Sequence, residues 1–136
     1  MLPAIFLDTS YLLALVSSHD ASHDRALEGA RGLAASRRKS VTTEAVLFEL
    51  CNGLSRKPWR QSAVDIVRAL RTNADVVVVP NSSTLLTRSF ELFANRLDKE
   101  WSLTDCLSFI VMQDQGLKQV LTTDHHFRQA GFEIVL

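Results

Sequence analysis

Four acidic residues, Asp8, Glu49, Asp105 and Asp124, have the types and spacing that metal chemistry would need. Asp8 directly follows the apolar run Ile5-Phe6-Leu7, and Asp124 follows Val120-Leu121-Thr122-Thr123. In an open parallel sheet, ligands bind in the crevice beyond the carboxyl ends of such strands. Each acid also has a plain structural reading. Asp8 could cap a helix running from Thr9, and Asp124 could hydrogen-bond its own backbone in a turn. Glu49 lies in the run AVLFELC at 45–51, which is apolar nearly all round and is expected to be largely buried. A carboxylate there is costly without a cation or a hydrogen-bond partner. Otherwise it occupies the one solvated line of its helix, or pairs with an arginine such as Arg56. Asp105 closes Ser102-Leu103-Thr104-Asp105, a capping box that by itself explains an acid at that position.

Convergence of these groups would change the reading of each. Two carboxylates about 4 Å apart repel by roughly 4 kcal/mol at an effective dielectric of 20, so a cluster of them calls for a cation. An all-oxygen donor set favours magnesium or manganese over zinc. Thr9 and Ser10 could bind a phosphate oxygen at a helix N-terminus, or serve only as local caps. His125 and His126 beside Asp124 fit hydrogen-bonded supporting groups better than direct chemistry. Arg37-Arg38-Lys39 and Arg56-Lys57-Pro58-Trp59-Arg60 could contact a nucleic-acid backbone, with Trp59 stacking on a base. The competing reading is solvated turns and a core tryptophan.

The elements that must position these residues follow from hydrophobic patterning. Short apolar runs at 4–7, 40–42, 75–79, 119–122 and 133–136 read as strands and alternate with longer helical patterns. That alternation predicts an α/β fold with a parallel sheet flanked by helices. The β-branched run Val76-Val77-Val78-Val79 predicts a strand covered on both faces. Trp59, Ala63, Ile66, Val67 and Leu70 form one helical stripe after Pro58, and Leu86, Phe90, Phe93 and Leu97 form a second; both are expected in the core. Residues 102–116 predict a helix opened by Ser102 and closed by Gly116. Loops are expected at 36–39, 55–58 and 80–83.

Composition limits what such a chain does. Its 136 residues, 46% of them apolar, can bury one core without disulfides, and no repeat or low-complexity linker divides them. A single domain over 1–136 is expected. Fifteen basic residues balance fifteen acidic ones, which excludes coating of nucleic acid by bulk positive charge. Cys51 and Cys106 lack the close pairing of a zinc or redox motif and read as reduced, buried thiols. The apolar start has no basic leader and is interrupted by Asp8, so secretion and membrane insertion are not expected and a cytoplasmic location is.

Taken together, Phe6-Leu7-Asp8-Thr9-Ser10, Glu49 in its apolar helix, Ser102-Leu103-Thr104-Asp105-Cys106 and Leu121-Thr122-Thr123-Asp124-His125-His126-Phe127 resemble the PIN-domain family over nearly the whole chain. The resemblance implies a three-layer sandwich with a parallel sheet of about five strands. Asp8, Glu49, Asp105 and Asp124 match the family's four acids, which bind magnesium or manganese. For a member of this size the resemblance further implies a VapC-type endoribonuclease toxin of a type II toxin–antitoxin system. Its expected partners are an RNA substrate, a cognate antitoxin and a second copy of the chain. Asp8, Glu49 and Asp105 would hold at least one divalent ion that activates water, while Asp124 would complete a second site or orient that water. In-line attack would leave a 5′-phosphate and a 3′-hydroxyl.

Two other catalytic families fit less well. A response-regulator receiver places its phosphoacceptor aspartate after the third strand, where this chain has Pro80-Asn81. A haloacid-dehalogenase phosphatase needs a second aspartate two residues after the first, where this chain has Ser10. A PIN-like module that binds RNA or protein without turnover is the alternative from outside catalysis, and the presence of all four acids argues against it.

Overall fold

The first strand, β1 (Ile5–Leu7), is completely buried, and its three apolar side chains leave no polar face to solvate. Such a strand needs neighbours on both edges and layers on both faces. In the computed structural model, which describes residues 2–136, β1 pairs in parallel with β2 (Ser40–Thr43) on one side and β4 (Gln119–Leu121) on the other. Strand β3 (Val76–Val79) extends the sheet beyond β2, and β5 (Glu133–Ile134) extends it beyond β4. The order β3-β2-β1-β4-β5 is fully parallel and reverses direction between β1 and β4. Right-handed crossovers then place the helices before and after that reversal on opposite faces.

Seven helices are present among the described residues: α1 (Thr9–Val16), α2 (His23–Ser36), α3 (Glu44–Gly53), α4 (Lys57–Thr72), α5 (Ser83–Asn95), α6 (Leu103–Asp114) and α7 (His126–Gln129). The expected α/β sandwich with a five-stranded parallel sheet is therefore observed. Helix starts follow local chemistry. Thr43 accepts the Val46 N–H on its hydroxyl, Ser82 accepts that of Leu85, and Pro58 sits in the first turn of α4. Helix α6 ends before Gly116, whose φ of +66° is the left-handed conformation that favours glycine. Phe109 is stacked edge-on against both Trp101 and Phe127 at 5.0 Å, which fastens α6 to the segments on either side of the acids.

Several burial expectations are corrected. β3 is an edge strand rather than a covered one, and Val77 is 53% exposed. Of the first stripe, Ala63 is buried and Ile66, Val67 and Leu70 pack on the core, but Trp59 is exposed. The second stripe is not core at all: Leu86, Phe90, Phe93 and Leu97 are exposed. Helix α5 instead buries Leu85 and Ser89, one position before that stripe, and Ser89 satisfies its hydroxyl by donating to the Leu85 carbonyl at 2.7 Å. A small polar residue can therefore line this helix contact while larger apolar ones point outward. Cys106 is buried and burial pushes its thiol up to about 11, whereas Cys51 is exposed because α3 turns that side away from the core. No described helix is long and apolar enough to cross a membrane.

Candidate active site

The reversal in strand order opens a crevice between the ends of β1 and β4, and Asp8 stands at its centre. The Asp8 N–H donates to the Leu121 carbonyl at 3.1 Å, which fixes it against the end of β4. Its backbone forms the N-cap of α1, yet its side chain makes no capping bond. Instead Oδ2 accepts from the Thr122 hydroxyl at 2.7 Å and the Ser10 hydroxyl at 3.0 Å. Those two hydroxyls lie 2.9 Å apart, and each also receives a backbone N–H from the loop after β4. Thr123 donates to Ser10 Oγ and Asp124 donates to Thr122 Oγ1, both at 2.9 Å. Each hydroxyl has a single proton, and acceptance of a backbone N–H by each oxygen leaves that proton free to be directed at Asp8. Burial pushes the Asp8 carboxyl up to about 6, against the lowering effect of the hydroxyls, and the negative charge of Asp105 pushes the same way.

Asp105 satisfies both readings of its motif. Its Oδ2 accepts the Ser102 N–H at 3.0 Å, and the Ser102 hydroxyl accepts the Asp105 N–H at 3.0 Å, so the capping box is complete. The same Oδ2 faces the crevice 3.2 Å from His126 Nδ1. Burial raises the pKa of Asp105, Asp124 adds to the rise, and the Ser102 N–H and His126 oppose it. His126 Nδ1 also lies 3.2 Å from Asp124 Oδ1, an oxygen that accepts the His126 N–H at 2.9 Å. With two carboxylates as its neighbours, Nδ1 must carry the ring proton. The half-buried His126 thereby ties Asp105 to Asp124.

Glu49 projects from α3 into the same cleft, a space of about 410 Å³ walled by Asp8, Glu49, Glu100, Asp105, Asp124 and His126. The structure thus brings together all four acids singled out in the sequence. Glu49 reaches them from a half-buried position, because Phe48 beside it is 65% exposed and α3 is less enclosed than its composition suggests. It forms no ion pair with Arg56 among the described residues. Sequence patterning does not single out Thr122 or Glu100. A threonine pair directly before Asp124 was the available signal for the first, and Glu100 carries none beyond its charge. The basic groups are placed elsewhere. Arg37 and Lys39 pair with Asp75, Arg38 binds the Pro3 carbonyl and Gln119, and Arg60 binds the Ser55 carbonyl.

The donor set fits a hard divalent cation. Five carboxylates and the hydroxyl residues Thr9, Ser10 and Ser102 line the cleft, and the buried Thr9 hydroxyl on its wall has no hydrogen-bond partner. Asp124, His125 and His126 also offer ligand atoms within 4.8 Å of one another, a mixed nitrogen and oxygen set at the rim. Serving that set would require His126 Nδ1 to give up its contacts with Asp105 and Asp124, or His126 to turn its other nitrogen inward.

Comparison with known proteins agrees with this geometry. The chain is 33% identical over 129 residues to the 23S rRNA-specific endonuclease VapC20 of Mycobacterium tuberculosis, covering 94% of this chain and 95% of that one. The crystal structure of that sarcin–ricin loop cleaving toxin superposes with a TM-score of 0.81 at 31% identity, over 94% of this chain and 95% of the other. FitAcB from Neisseria gonorrhoeae shares the fold at a TM-score of 0.66 and 15% identity, covering 97% of this chain and 96% of that one. VapBC2 from Rickettsia felis, solved with a promoter DNA fragment, shares it at 0.62 and 18%, covering 97% of each. The PIN domain family matches residues 5–133 in sequence, and the chain belongs to that family.

Proposed function

We propose that this protein is a divalent-metal-dependent endoribonuclease, a single PIN domain over 1–136 acting as the toxin of a toxin–antitoxin pair. The observation that carries this reading is the convergence of Asp8, Glu49, Asp105 and Asp124, from four separate stretches of chain, on one cleft at the strand-order reversal. It is supported by the likeness, over nearly the whole chain, to an endonuclease specific for 23S rRNA.

Asp8, Asp105 and Glu49 would hold magnesium or manganese, with Asp124 completing the set. When bound, the ion supplies Lewis-acid activation of the attacking water and neutralises charge that builds on the phosphate. The chain's own residues do the positioning. Ser10 and Thr122 hold the orientation of Asp8, Ser102 holds Asp105, and His126 holds Asp105 and Asp124 at a fixed separation. Hydrolysis of the phosphodiester by in-line attack leaves a 5′-phosphate and a 3′-hydroxyl. A structured ribosomal RNA loop is the first substrate to test, given what the relative cuts.

An antitoxin is the proposed protein partner, and its binding would hold the enzyme silent in the cytoplasm. A homodimer is proposed through the face formed by Phe48 of α3 and Leu86, Phe90 and Phe93 of α5. That set of large exposed apolar side chains exceeds the scattered few that a monomer usually leaves in water.

The test is incubation of purified protein with a labelled hairpin of the sarcin–ricin loop sequence, in magnesium, in manganese and in chelator, with analysis of the product ends. Cutting that needs metal and leaves 5′-phosphate supports the proposal. Absence of cutting from both the hairpin and total ribosomal RNA favours a binding module instead.

A further inference from the structure

The loop carrying Asp124 has a second side. Thr122 and Thr123 also border a separate cleft of about 210 Å³, whose walls include Ser22, Arg25, His125 and Arg128. One loop therefore divides an acidic cleft from a basic one. Arg25 comes from α2 and Arg128 from α7, so elements far apart in sequence bring two guanidinium groups to one concave surface. Both side chains are exposed, and no carboxylate lies within 4.0 Å of either guanidinium among the described residues. Arg25 is oriented by donating to the buried Ser22 hydroxyl at 3.1 Å. Arg37, Lys39, Arg88 and Arg96 are by contrast each committed to an aspartate. In a chain of zero formal net charge, two arginines without a carboxylate partner beside this loop concentrate positive charge locally.

We infer that the Arg25–Arg128 cleft is a phosphate-binding subsite for the RNA strand, engaging a backbone phosphate adjacent to the one placed over the four acids. The inference rests on the ribonuclease reading. Arginine presents planar paired donors suited to phosphate oxygens, and Thr123 and His125 add polar groups at the same wall. The subsite answers a physical problem of the acidic cleft, which repels an approaching polyanion. Attraction has to come from nearby, and the basic runs at 37–39 and 56–60 are turned to other contacts or lie outside both clefts.

Binding is measured by fluorescence polarisation of the labelled sarcin–ricin hairpin in chelator, so that no cleavage intervenes. The Arg25→Ala/Arg128→Ala variant is expected to bind at least 10-fold more weakly at moderate salt. The slope of log affinity against log salt should fall by about 1 for each side chain removed. In metal, KM should rise by a similar factor while kcat at saturating RNA is unchanged. Arg25→Lys/Arg128→Lys should recover part of the affinity. The control is Arg71→Ala/Lys118→Ala, which removes equal charge from residues that line neither cleft. Equal losses in the cleft variant and the control, or no loss in the cleft variant, would overturn the subsite while leaving the nuclease intact. Wild-type protein that neither binds nor cuts RNA would overturn the ribonuclease reading and the subsite with it.

Discussion

Replacing Asp8 by asparagine should stabilise the metal-free protein, although it removes a residue assigned to the active site. Asp8 is 4% exposed, and burial pushes its carboxyl from 3.8 to about 6. A folded-state pKa above the unfolded one means that the native state holds the proton more tightly. The associated stability is fully present below pH 3.8 and is lost as pH rises through 6. A shift of about two units corresponds to roughly 3 kcal/mol at neutral pH. Asparagine keeps an oxygen to accept from Thr122 and Ser10 and carries no charge, so it should recover about 2 kcal/mol of this. That is a rise in Tm on the order of 5–10 °C for a chain of this size. The assay is thermal unfolding in chelator from pH 4.5 to 8. Wild-type protein should lose stability between pH 4.5 and 7, and the variant should lose much less, the residue coming from Asp105, which is raised for the same reason. Manganese should reverse the ranking by stabilising the wild type more than the variant. A less stable variant at pH 7.5 in chelator, or a wild-type Tm that rises over this range, would refute the reasoning.

Three further outcomes follow from the same geometry. His126→Ala should weaken manganese binding roughly 10-fold by calorimetry, as loss of a supporting hydrogen bond commonly does, and His126→Asn, which keeps a donor near the Nδ1 position, should restore much of it. Thr122→Val leaves Asp8 without its shortest hydrogen bond and the Asp124 N–H without an acceptor; it should cost about 1–3 kcal/mol in urea unfolding and lower cleavage. Leu86→Glu on the exposed face of α5, where the side chain is 54% exposed, should convert a dimer to a monomer in light scattering and remove the dependence of Tm on protein concentration.

The sequence revealed the site more faithfully than it revealed the surfaces. Asp8 and Asp124 were legible because each directly follows an apolar strand, and a parallel sheet gathers strand ends in one place. Asp105 was legible through its capping box, although a box alone could not say that the same carboxylate also faces a cleft. The hydroxyl clamp was hidden, since Ser10 and Thr122 are separated by 112 residues and meet only through the pairing of β1 with β4. Burial was misjudged where apolar composition stood in for location. The valines of β3, the stripe on α5, and Phe48 and Cys51 on α3 are apolar residues that the fold leaves at an edge or on an outer face. A single chain's periodicity reports which side of a helix is apolar, and not whether that side meets its own core or another molecule. The same limit concealed Arg25 and Arg128, which no local motif connects.

The proposed activity is cleavage of RNA by the four gathered carboxylates through a divalent ion. It is tested most directly by single-turnover cleavage of the sarcin–ricin hairpin in manganese, comparing wild type with Asp8→Asn, Glu49→Gln, Asp105→Asn and Asp124→Asn. Wild type is expected to cut in a reaction that chelator abolishes, with a fall of at least about 1000-fold for the Asp8 and Asp105 variants, equivalent to roughly 4 kcal/mol of barrier. Folded Asp8→Asn and Asp105→Asn proteins that cut at the wild-type rate would contradict it.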